Sequence, residues 1–136
     1  GKPIEGFIPR LQFTKQPLLQ TILSLADKNQ LGDVEKLKGG VSIRNSAGLP
    51  ARIFNARVSP IAPFAIRGFI WYQGESNVGE GMAYHDKMKA LIAGWRDVFK
   101  NDDLSFYFVQ ILRSINSYQF YIIKYLMTVY SFFITN

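Results

Sequence analysis

Between Ala65 and Ile111 the hydrophobic rhythm of the chain changes three times, and this constrains the fold more than any other stretch. Ala65–Gln73 (AIRGFIWYQ) is dense in β-branched and aromatic residues, as suits a buried strand. Gly74–Gly81 (GESNVGEG) has three glycines and an asparagine, which is a loop composition. Met82–Lys100 then sets Met88, Leu91, Ile92, Trp95, Val98 and Phe99 at helical spacing, so one face of that helix is apolar. Asn101-Asp102-Asp103 breaks the pattern, and Leu104–Ile111 (LSFYFVQI) reads as a second buried strand. Strand, loop, helix and strand in this order form a βαβ unit, whose crossover gives parallel pairing. The predicted class is α/β.

The flanks are less regular. Residues 1–16 are mixed and poorly periodic. From Pro17, the spacing of Leu18, Leu19, Ile22, Leu25 and Ala26 predicts a helix ending near Gly32. Gly39-Gly40, Asn45, Gly48 and Pro50 mark a loop-rich stretch, and Arg52–Pro63 (RIFNARVSPIAP) has room for a short helix interrupted by Pro60. With 136 residues there is space for one domain, read as 1–110. Residues 111–136 differ in kind: aromatic and β-branched side chains crowd together, with Arg113 and Lys124 the only charges. Within them 118–134 falls just short of a membrane-spanning length and carries Lys124 near its middle. A membrane contact there competes with a buried or aggregation-prone segment, or with a tail unrelated to the fold.

Composition removes several chemistries. No cysteine is present, so disulfides, thiolate zinc sites and cysteine nucleophiles are excluded. One imidazole, His85, rules out a histidine-rich metal cage, and no metal or organic cofactor is indicated. The net charge of +6 is scattered from Lys2 to Lys124 rather than gathered in a patch, which argues against a nucleic-acid partner.

In parallel α/β sheets, ligands bind beyond the carboxyl ends of strands. The loop after the first predicted strand presents Gln73, Glu75, Ser76 and Asn77 there, with Gly74 allowing close backbone approach. Two amides, a carboxylate and a hydroxyl could orient a polar substrate and polarise a carbonyl. The competing account has Glu75 or Ser76 capping the next helix and Asn77 making a turn. Ser76 is a poor nucleophile candidate: Gly74-Glu75-Ser76-Asn77 opens like a G-x-S-x-G elbow, but Val78 stands where the second glycine is needed. His85 reads as a partly exposed helix residue, and Glu80 and Asp86 as solvated carboxylates favouring the helix dipole. Trp95 and Arg96 read as core and rim, while Trp71 and Tyr72 are strand core before they are a sugar platform.

Ala62–Gln110 (APFAIRGFIWYQGESNVGEGMAYHDKMKALIAGWRDVFKNDDLSFYFVQ) resembles the middle of the sialate O-acetylesterase-like carbohydrate esterases, of the SGNH hydrolase superfamily. The resemblance is carried by the I-R-G-x-x-W-Y-Q-G-E-S-N string, Tyr84, Lys87, the Trp95-Arg96 pair and the F-x-F-V-Q strand. Arg52–Phe64 is similar to the family's L-[FY]-N-x-M-I-x-P lead-in, with Val58 where Ile is usual. The resemblance implies a three-layer α/β/α sandwich with parallel strands that removes acetyl groups from sugar hydroxyls, so an acetylated sugar is the implied partner. It implies that the Gln73 amide donates to the tetrahedral intermediate, that Gly74 and Glu75 shape the loop, and that Ser76 and Asn77 lie on the substrate side.

The family's nucleophile sits in a G-Q-S-N motif and its base in a D-x-x-H pair. Neither string occurs in the 136 residues, and Met82 stands three positions before His85. The expectation is therefore a segment truncated at both ends and inactive alone. A non-catalytic carbohydrate-binding module and a membrane-associated protein remain the alternatives.

Overall fold

The computed structural model describes residues 2–28, 48–62 and 64–109. Strands β1 (Gly68–Trp71) and β2 (Ser105–Phe108) pair in parallel, with Gly68 opposite Ser105 and Trp71 opposite Phe108. The Val109 amide extends the ladder by donating to the Trp71 carbonyl at 3.0 Å. Gly68 is required by this pairing, because a Cβ there would lie 2.7 Å from the Ser105 carbonyl oxygen. The connection is the long helix Met82–Phe99, so the chain has the α/β class its pattern predicts.

Both strands are shorter than the predicted segments and are not fully buried. Phe69, Trp71 and Phe106 face the long helix, whereas Ile70 is 77% exposed and Tyr107 and Phe108 are also open. Among the described residues only one face of the two-stranded sheet is covered. That explains why aromatic density, which cannot distinguish one covered face from two, overstates the burial.

The first helix, α1, spans Pro17–Asp27 and opens on its proline, where the missing N–H costs nothing. Leu19 and Ile22 are its buried residues. The predicted end near Gly32 and the glycine-rich stretch after it lie outside the described residues. The long helix, α2 (Met82–Phe99), ends on Lys100 in a left-handed conformation at φ 54°, and the Asn101 amide bonds the Arg96 carbonyl. Between the two helices, Phe54–Val58 forms a wide helical turn and Ser59–Ile61 a tight one around Pro60.

Residues 2–16, unpatterned in sequence, are structurally central. Two short 3-10 turns, Ile4–Phe7 and Arg10–Thr14, each follow a proline whose fixed φ pre-sets the entry. Ile4, Ile8 and Phe13 are completely buried. Turns this short bury residues without a detectable period, so periodicity was the wrong signal for them.

Helix α2 is the hub. One side packs Trp95 edge-on against Phe69 and Trp71, with centroids 4.5 and 5.8 Å away. Its other side meets the N-terminal segment so closely that a Cβ on Gly94 would lie 2.7 Å from Pro9 and Gln12 side-chain atoms. The Trp95 indole donates to the Phe7 carbonyl at 2.9 Å, and Arg96 donates twice to the Leu104 carbonyl at 3.2 Å, as core and rim. No helix among the described residues is long and apolar enough to cross a membrane, and residues 111–136 lie outside them.

Candidate functional site

The loop after β1 leaves the carboxyl end of a parallel strand, the position expected for it. Gly74 turns the chain at φ 154°, ψ −16°, a conformation that L side chains rarely adopt. Glu75–Asn77 then closes a 3-10 turn, with the Asn77 amide bonding the Gly74 carbonyl at 2.9 Å. Helix α2 begins only after Gly81, which precedes it at φ 56° without a side-chain cap. Neither Glu75 nor Ser76 therefore caps that helix, contrary to the capping expectation, whereas Asn77 does lie in a turn, its carbonyl accepting from the Glu80 amide at 3.2 Å.

The four polar side chains of the loop separate into two groups. Glu75 is exposed, and Ser76 is half-buried without a hydrogen bond among the described residues. Gln73 and Asn77 turn inward instead, 8% and 3% exposed. Gln73 Nε2 donates to the Lys2 carbonyl at 2.7 Å and to Asn77 Oδ1 at 2.8 Å. Its Oε1 lies 3.0 Å from the Tyr84 hydroxyl, which stands equally near the Gln73 carbonyl. Tyr84 in turn receives the Trp71 indole N–H at 3.4 Å. Burial foremost, with the nearby carboxylates adding to it against the lowering effect of the Trp71 hydrogen bond, holds the Tyr84 hydroxyl above its ordinary pKa, so it remains a donor.

Asn77, expected on the substrate side, has a fully occupied amide. Oδ1 accepts from the Ile4 amide at 3.1 Å and from Gln73, while Nδ2 donates to Glu5 Oε2 at 3.3 Å and Glu80 Oε1 at 2.9 Å. Behind it the Lys87 ammonium meets Glu5 Oε1 at 2.5 Å and Glu80 Oε2 at 2.6 Å, with all three side chains completely buried. Glu80 is thus an ion-paired interior group and not a solvated helix-start carboxylate. Its pKa is raised, foremost by burial, against the lowering effect of Lys87.

His85 is on α2 as expected, partly exposed, with Nδ1 3.5 Å from Asp86 Oδ1. Trp71 is core, but Tyr72 is 53% exposed beside the loop. Among the described residues no group of carboxylates and imidazole is arranged to hold a metal ion.

The sequence reading missed Glu5 and gave Lys87 and Tyr84 only through a family resemblance. One local signal was available: Ala83, Lys87, Ala90 and Gly94 form a stripe of small residues at helical spacing, interrupted by a single lysine. A lysine on a stripe that close-packed needs buried counter-charges.

Comparison with known proteins adds an independent line. The family described as a carbohydrate esterase, sialic acid-specific acetylesterase, matches residues 2–129. The chain belongs to this family. Sialate O-acetylesterases of Homo sapiens and Pongo abelii are each 38% identical over 48 residues, and that of Rattus norvegicus is 40% identical over 48. The aligned segment covers 35% of this chain but 9% of each of those relatives. No solved structure matches. In this esterase family the β1–α2 loop and its buried network lie inside the matched region, as does the N-terminal segment that supplies Glu5.

Proposed function

We propose that this chain carries the electrophile-stabilising wall of a carbohydrate O-acetylesterase pocket. The fold around it is the central part of a three-layer α/β/α sandwich, and the substrate is an O-acetylated sugar of the sialic acid type. The carrying observation is the Gln73 side-chain amide, set at the carboxyl end of a parallel strand with its carbonyl turned inward. The Nε2 proton pointing to Asn77 belongs to the buried network. The other points to the carbonyl of exposed Lys2, an oxygen acceptor at 2.7 Å in a part-buried hydrogen bond. That proton is the one offered to the oxyanion of a tetrahedral intermediate, with the Lys2 oxygen standing in for it. A donor of this kind contributes about 3 kcal/mol to lowering an acyl-transfer barrier. Gly74 and Glu75 shape the loop that brings substrate to it.

The sequence contains no G-Q-S-N serine and no D-x-x-H pair, so the attacking group and its base are supplied by neither string in this chain. The oxyanion donor without them gives no acyl-enzyme route. Purified chain incubated with an aryl acetate is expected to show no turnover above buffer. Turnover abolished by Ser76→Ala would make Ser76 the nucleophile and overturn this reading. The coding DNA on either side is expected to hold G-Q-S-N and D-x-x-H segments, in frame or frameshifted; a locus without them contradicts the proposal.

A further inference from the structure

The network behind Gln73 has a direction, and its origin is the charge on Lys87. The ammonium has only protons to give, so it takes one oxygen from each of Glu5 and Glu80 and holds both carboxylates as acceptors. Their remaining oxygens face Asn77, which must present Nδ2 to them. Oδ1 is then left to accept from the Ile4 amide and from Gln73. Gln73 must answer with Nε2, leaving Oε1 for the Tyr84 hydroxyl. Each step leaves a single orientation for the next amide. Reversing Gln73 would set Oε1 against Asn77 Oδ1 and the Lys2 carbonyl, oxygen against oxygen.

We propose that Lys87, Glu5, Glu80, Asn77 and Tyr84 are positioning residues that fix which end of the Gln73 amide faces the pocket. They touch no reacting atom. The cation at one end sets the hydrogen-bond polarity of the chain, so the strand's end presents an N–H donor and never a carbonyl oxygen. This rests on the reading of Gln73 as an oxyanion donor and adds how that donor is oriented. It also explains why an ion pair is retained in an interior where apolar packing would be less costly.

The test follows the Gln73 side-chain amide by 15N–1H NMR in the full chain, assigned by its loss in Gln73→Glu. Tyr84→Phe removes the donor to Oε1, and Lys87→Met removes the cation at nearly constant volume. Ile22→Ala, on α1 and outside the network, serves as a control for general loss of stability. Both network variants are expected to move the paired Gln73 Nε2 proton signals and to speed their solvent exchange about fivefold beyond the control, as loss of a hydrogen bond worth about 1 kcal/mol implies. If Lys87→Met does not fold, Tyr84→Phe alone decides. Signals unchanged in the network variants, or shifted as much by Ile22→Ala, would overturn the proposal. The readout needs neither ester nor turnover, so an esterase reading that fails on aryl acetate or at the locus is distinguished from a failure here.

Discussion

Two stretches of α2, two turns apart along the helix, are held by different physics. On one, Trp95 packs among Phe69, Trp71 and Phe106 at centroid distances of 4.5 to 5.9 Å, an aromatic cluster stabilised by the area it removes from water. On the other, Lys87 is locked between Glu5 and Glu80 with no exposed surface on any of the three side chains. Hydrophobic area is non-directional and forgives changes of shape. A buried ion pair is directional, costs desolvation of both charges, and fails when one partner is removed. Placing them two turns apart lets one buried helix face anchor the sheet near its C-terminal end and hold the buried network of the candidate site near its N-terminal end.

The same conservative replacement should separate the ion pair from the apolar packing. Lys87→Met keeps the volume but leaves two buried carboxylates facing one another, and an expected loss of about 3–5 kcal/mol follows, measured by urea denaturation. Leu91→Met, in the fully buried apolar cluster, is expected to cost less than about 1.5 kcal/mol in the same assay. Equal costs for the two would erase the distinction.

A smaller effect sharpens it by pH. Glu80 has a raised folded-state pKa, so the folded protein holds its proton more tightly than the unfolded chain does. Its contribution to stability is fully present below the ordinary value of 4.5 and is lost as pH rises through the folded value. Wild type is therefore expected to lose stability relative to Glu80→Gln as pH climbs above 4.5, seen in thermal melts across that range. A relative gain over the same interval would show that Lys87 outweighs burial.

The βαβ unit is legible because its 18-residue helix is long enough to display a period and its strands stand out by β-branched and aromatic density. Leu91 and Trp95 are buried where helical spacing puts them, and the strands pair in parallel as the crossover requires. The N-terminal turns are illegible because four or five residues of 3-10 helix cannot show a rhythm, although Ile4 and Phe13 are core. Glu80 was misjudged for a related reason. A carboxylate just before a helix has a good local explanation in the helix dipole, but its decisive neighbour Lys87 is two turns on, and Glu5 arrives from the far end of the chain. The Q-G-E-S-N loop stands out by four polar side chains within five positions, yet sequence cannot reveal that Asn77 faces the interior while Glu75 faces solvent. Such side-chain direction is set by tertiary partners.

The most direct measurement is titration of 15N-labelled full chain with an O-acetylated sugar and, separately, with the same sugar deacetylated. The account predicts that the acetylated form alone shifts the Gln73 Nε2 protons, as an ester carbonyl replaces the Lys2 oxygen as acceptor. Equal shifts from both sugars, or ligand-induced shifts elsewhere with Gln73 unmoved, would contradict it.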